Sequence, residues 1–71
     1  MDTEEWMRDF VCNLQIMMDR RGITQKDLAI RSGISEAAVS RYCAGLQVPK
    51  GPAIVNMARV LGCHVEELTG E

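Results

Sequence analysis

The stretch from Thr24 to Gly45, TQKDLAIRSGISEAAVSRYCAG, constrains this chain most, because it has room for two short helices and almost nothing between them. Thr24 can cap a helix, and Asp27 three residues on gives a capping-box-like spacing. Leu28 and Ala29 then fall on one face. Gly33 stands where the chain must turn sharply, a place that suits a residue free to take positive φ. Ser35 can cap a second helix, on which Ala38, Val39 and Tyr42 recur at helical spacing. Gly45 stands where a left-handed residue would end it. The pattern predicts one helix from Gln25 to Ser32 and another from Glu36 to Ala44, joined by a tight turn containing Gly33.

The flanking segments read as support for that pair. Asp2 to Arg20 is predicted to be a first helix: Asp2 with Glu5 has capping-box-like spacing, and Arg20 and Arg21 suit the negative end of the helix dipole. Trp6, Phe10, Leu14 and Met17 make one apolar stripe, and Met7, Val11 and Met18 a second beside it. Gly22 ends this helix and Ile23 anchors the next turn in the core. A loop from Leu46 to Lys50 follows the central pair. Pro52 fits the first turn of a fourth helix, where its missing N–H costs nothing. Ile54, Met57, Ala58 and Leu61 form the inner face of that helix, and Gly62 ends it. A short fifth helix from Val65 to Thr69 closes the core with Val65 and Leu68. No strand candidate appears, so the expected fold class is all-α, a compact five-helix bundle.

Seventy-one residues make one domain, 1–71, with the central pair at 24–45. A core this small gives modest stability, which self-association would raise. A hydrophobic content of 46% argues against disorder. No apolar run reaches the roughly 20 residues needed to span a bilayer, and the acidic start MDTEEW is no signal peptide, so a cytoplasmic location is expected. Cys12, Cys43 and Cys63 are odd in number and widely spaced, which suits free thiols better than disulfides. Cys63 and His64 are adjacent but point in different directions, and there is no Cys-x-x-Cys pair, so no metal site is expected. One His, no nucleophilic triad and no Gly-rich phosphate loop argue against an enzyme, and no cofactor is implied.

The net charge is −2, but it is unevenly spread. Residues 1–19 carry −4 (Asp2, Glu4, Glu5, Asp9 and Asp19 against Arg8). Residues 20–50 carry +4 (Arg20, Arg21, Lys26, Arg31, Arg41 and Lys50 against Asp27 and Glu36). Residues 51–71 carry −2 (Arg59 against Glu66, Glu67 and Glu71). The basic block coincides with the central helix pair, as an electrostatic footprint on nucleic acid requires.

Two helices joined by so short a turn with a Gly in it have the sequence form of a helix-turn-helix. From Phe10 to Leu68 the chain resembles the phage-repressor-type helix-turn-helix proteins, the lambda-repressor and Cro-like group. The resemblance rests on Gly22-Ile23-Thr24-Gln25, Asp27-Leu28-Ala29, Ser32-Gly33-Ile34-Ser35, Val39-Ser40-Arg41, Gly45, Pro49, Ala58, Leu61-Gly62 and Glu66-Glu67-Leu68. It implies a sequence-specific, repressor-like regulator that binds double-stranded DNA in the nucleoid, as a homodimer on a palindromic operator. In this docking mode the second helix of the pair enters the major groove and its N-terminal residues meet base edges. The outward positions there are Ser35, Glu36, Ala37, Ser40 and Arg41, with Val39 facing the core. The resemblance places Glu36, Ala37, Ser40 and Arg41 where family members read bases, Ser35 where they touch backbone or base, and Gln25 where they contact a phosphate and brace the reading helix.

The side chains suit such roles. Arg41 can fork onto guanine O6 and N7, Glu36 can accept from cytosine N4, and Ala37 can pack on a thymine methyl. Ser40 is a small donor and acceptor with little selectivity. Lys26, Arg31 and Lys50 can neutralise phosphates. Against this stand the ordinary roles of such residues: solvated surface charges, and for Glu36 an acid that suits a helix's first turn.

Three positions depart from the family pattern. Many members pair a buried Arg on the first helix with a Glu late in the third; here those positions are Met18 and Cys43, and the two are expected to touch. A family Asn that contacts phosphate is Ala44, and an often basic loop reads Leu46-Gln47-Val48. Leu46, Val48 and the C-terminal helices are the expected dimer surface, with a loop folded onto the core as the plain alternative for Leu46 and Val48. The same apolar loop and the acidic total motivate the alternative, a protein-interaction module on the same fold.

Overall fold

The computed structural model describes residues 3–71, and among them every regular element is a helix: α1 (Thr3–Arg21), α2 (Gln25–Ser32), α3 (Glu36–Cys43), α4 (Gly51–Leu61) and α5 (Val65–Thr69). The all-α, five-helix expectation holds. The expected cap at Asp2 lies outside the described residues.

Local chemistry sets the helix ends. At Thr24 the hydroxyl accepts from Asp27 N–H at 3.1 Å, while Asp27 Oδ2 accepts from Thr24 N–H at 3.3 Å, so the box is reciprocal. Those bonds hold the Asp27 carboxyl below its ordinary pKa, the Thr24 backbone N–H contributing most. Ser35 Oγ accepts from Ala38 N–H at 3.1 Å and starts α3. Gly33 has φ +76° and its N–H bonds to Ala29 O at 3.0 Å, which stops α2 and turns the chain within three residues. The buried Ser32 stitches this turn: its hydroxyl donates to Ala29 O at 3.4 Å and accepts from Ile34 N–H at 3.3 Å. After α3, Gly45 at φ +72° lets its own N–H reach Tyr42 O at 3.1 Å and that of Leu46 reach Arg41 O at 2.9 Å. Two orphan carbonyls of α3 are thereby satisfied.

One core joins the five helices. It contains Met7, Phe10, Leu14 and Met18 from α1, Leu28 and Ala29 from α2, Val39 and Tyr42 from α3, Ile54, Met57, Ala58 and Leu61 from α4, and Leu68 from α5. The buried line of α1 therefore takes members from both expected stripes. Its steps of three, four and four residues follow the true helical repeat, and Trp6 and Met17 flank it half-buried. Trp6 stacks on Phe10 with ring centroids 5.4 Å apart. The inner face of α4 is the expected one. α1 packs on α3, α4 and α5, and α2 packs on α3 and α4.

Two polar contacts tie distant segments. Asn13 Nδ2 donates to Leu68 O at 3.1 Å, at the end of α5. Arg21 Nη2 donates to Gly62 O at 3.2 Å, so this arginine serves the C-terminus of α4 rather than that of its own helix. The Cys43 thiol lies 3.9 Å from Met18 Sδ, which is the expected contact between α3 and α1.

Candidate nucleic-acid interface

The outward face of α3 is built on its inward one. Val39 and Tyr42 are buried, Ala38 and Cys43 half-buried, and Glu36, Ala37, Ser40, Arg41 and Ala44 exposed. Exposed positions at i, i+1, i+4 and i+5 form one stripe along a helix. The helix is thus fixed from below by the core, from its start by Ser35 and from its end by the turn at Gly45, and the stripe is left to solvent.

The expected site residues divide into groups. Glu36, Ala37, Ser40 and Arg41 share the stripe. Ser35 is exposed beside it, with its oxygen engaged as the helix cap and its hydroxyl proton left to donate. Gln25 and Lys26 are exposed in the first turn of α2. Among the described residues, no hydrogen bond runs from the Gln25 side chain to α3. Lys50 is exposed as the residue capping α4, without a side-chain cap bond. Of the basic block, Arg21 is turned to Gly62, so charge counted along the sequence overstates the charge on any one face.

Sequence reasoning missed Gln47. Arg41 Nε–H donates to Gln47 Oε1 at 2.7 Å. The available signal was Gly45: a reversal four residues after Arg41 brings the following residues back beside it. The loop itself stays off the core, with Leu46 76% exposed and Val48 48% exposed, while Pro49 is buried and pins its far end.

The geometry is that of a protruding helix held by a second one across a three-residue turn. A family model described as a helix-turn-helix domain matches residues 9–69. The chain belongs to this helix-turn-helix domain family. No curated protein and no solved structure matches the chain. Membership agrees with the resemblance to repressor-type proteins and points to a DNA-binding regulator. In this helix-turn-helix domain no helix of the described residues is long and apolar enough to cross a membrane, and no group of three or more His, Cys, Asp or Glu is placed to hold a metal ion.

Proposed function

We propose that this helix-turn-helix domain is a sequence-specific, repressor-like transcriptional regulator, with α3 reading the major groove of double-stranded DNA. The observation that carries this is the solvent stripe of Glu36, Ala37, Ser40 and Arg41 on a helix whose opposite side is locked in the core. Arg41 supplies the main base contact. Glu36 and Ala37 add selectivity for cytosine and thymine, and Ser40 a tolerant hydrogen bond. Gln25, Lys26, Ser35 and Lys50 contact the backbone and set the docking register. Residues 1–71 act as one domain, cytoplasmic and nucleoid-associated. Two copies meet through Leu46, Val48 and the C-terminal helices and read a palindrome with half-sites about one helical turn apart.

Selection from a random duplex library tests this, followed by titration of the enriched site at two salt concentrations. An enriched palindrome is expected, with Arg41→Ala weakening binding by about 1–3 kcal/mol at one base position. Absence of enrichment would sink the proposal. The exposed Leu46 favours one second reading, a protein-interaction module on this fold. A steep fall of DNA affinity with salt counts against that module, because it reports phosphate contacts.

A further inference from the structure

Gln47 meets the one side chain on the α3 stripe best suited to a base edge, and the backbone sets up that meeting from both sides. The Leu46 N–H is bonded to the carbonyl of Arg41 itself, so Gln47 leaves the chain one residue beyond a point pinned to its partner. Two residues later Pro49 is buried, which limits the loop's freedom to carry Gln47 away. The 2.7 Å bond from Arg41 Nε–H to Gln47 Oε1 therefore joins two exposed side chains whose backbones are already in register.

The bond matters for what the guanidinium can do. Its five N–H groups lie in one plane and offer two forks, one side-on through Nε and an Nη, the other end-on through Nη1 and Nη2. With Nε–H held by Gln47, the side-on fork is occupied and the plane is set. Among the described residues nothing else hydrogen-bonds the guanidinium of the exposed Arg41, so the end-on pair is left to meet a ligand. Guanine O6 and N7 are the acceptor pair that such a fork fits. The amide is neutral, so it orients the arginine without cancelling the charge that draws it to DNA. A carboxylate at this position would orient it and cancel that charge.

We infer that Gln47 is a positioning residue for Arg41: by holding Nε–H it presents Nη1 and Nη2 as a preset fork to a guanine and sharpens selectivity at that one base pair. This rests on the DNA-reading role of α3 proposed above.

Two measurements test it, one with DNA and one without. In the free protein, the Arg41 Nε–H followed by nitrogen-15 NMR should exchange with water several-fold more slowly in wild type than in Gln47→Ala. Equal exchange overturns the contact whatever the protein binds. On the duplex enriched by wild type, the base pair read by Arg41 is the one whose preference is lost in Arg41→Ala. Gln47→Ala should cut the preference for guanine there about three- to ten-fold, the worth of one such hydrogen bond, and leave other base positions and the thermal midpoint unchanged. In the Arg41→Ala background it should do nothing further. Gln47→Glu should restore the guanine preference while lowering affinity for every duplex. A uniform loss across all sequences, or the same loss without Arg41, would make Gln47 a backbone contact and overturn the inference. If wild type enriches no duplex while the NMR difference stands, it is the DNA reading that has failed, and the selectivity role falls with it.

Discussion

Exchanging Met18 for Arg tests how the α1–α3 joint is made. Met18 is 4% exposed and its sulfur faces the Cys43 thiol at 3.9 Å. Losing the buried thioether forfeits about 1.5–3 kcal/mol of apolar burial. An uncompensated buried charge costs about 3–5 kcal/mol when its partner is missing. Total stability for a domain of this size is of the order of 4–10 kcal/mol. Met18→Arg alone should therefore leave the domain unfolded or barely folded, with a midpoint at least about 18 °C lower. Cys43→Glu is milder, because position 43 is only half-buried and a longer acid can reach water. The double variant Met18→Arg/Cys43→Glu restores an ion pair in the position that the resemblance marks for one. It should recover to within about 2 kcal/mol of wild type, a coupling of at least about 2 kcal/mol in the cycle. Urea denaturation followed by circular dichroism reads all four proteins. Costs that simply add would show that the two positions are not partners. A loss below about 1 kcal/mol for Met18→Arg would show that the arginine escapes to solvent and that the site is not sealed.

Three further outcomes follow from local geometry. Gly33→Ala should cost about 1–2 kcal/mol in the same urea denaturation, all of it backbone strain, because an added Cβ meets nothing within 4 Å while φ is +76°. Asp27 has its folded pKa held below the unfolded value, so its contribution is present above the unfolded pKa and disappears as pH falls through the folded one. The urea midpoints of wild type and Asp27→Asn should thus differ at pH 7 and converge at the acid end; a constant gap would refute the cap's role. Burial pushes the Cys43 thiol up, whereas Cys12 is exposed. A thiol-specific disulfide reagent at neutral pH should therefore modify Cys12 in the folded protein well before Cys43, with the order abolished in denaturant.

Most of the architecture was legible because its signals are local. Thr24 with Asp27, Ser35, Gly33 and Gly45 each act within four residues of themselves, and the bounds of α2 and the start of α3 fell where those signals put them. Exposure along α3 was legible for the same reason, since Val39 and Tyr42 fix which side faces inward. Met18 and Cys43 could be paired because the two positions change together relative to a family pattern. Arg21 with Gly62 and Asn13 with Leu68 could not, because periodicity assigns a side chain to a face and says nothing of which distant carbonyl it will meet. Gln47 was missed as part of a loop judged by its apolar neighbours. Both α1 stripes do pack on the core, but their depth was not legible for a different reason: Trp6 and Met17 look as apolar as Met7 and Met18, and only packing ranks them.

Under the reading role proposed for α3, its division of labour has a consequence for how specificity would change. Folding rests on Val39, Tyr42, the Ser35 cap and the turn at Gly45, none of which lies on the solvent stripe. Ala37 and Ser40 are thus free letters: they can be rewritten one at a time, and the core beneath will not register the edit, while Glu36 carries only the small helical benefit of an acid in the first turn. Arg41 is a different kind of letter. Its partner stands six positions away in the loop, so a designer or a lineage that transplants the stripe without Gln47 copies the character and loses its spelling.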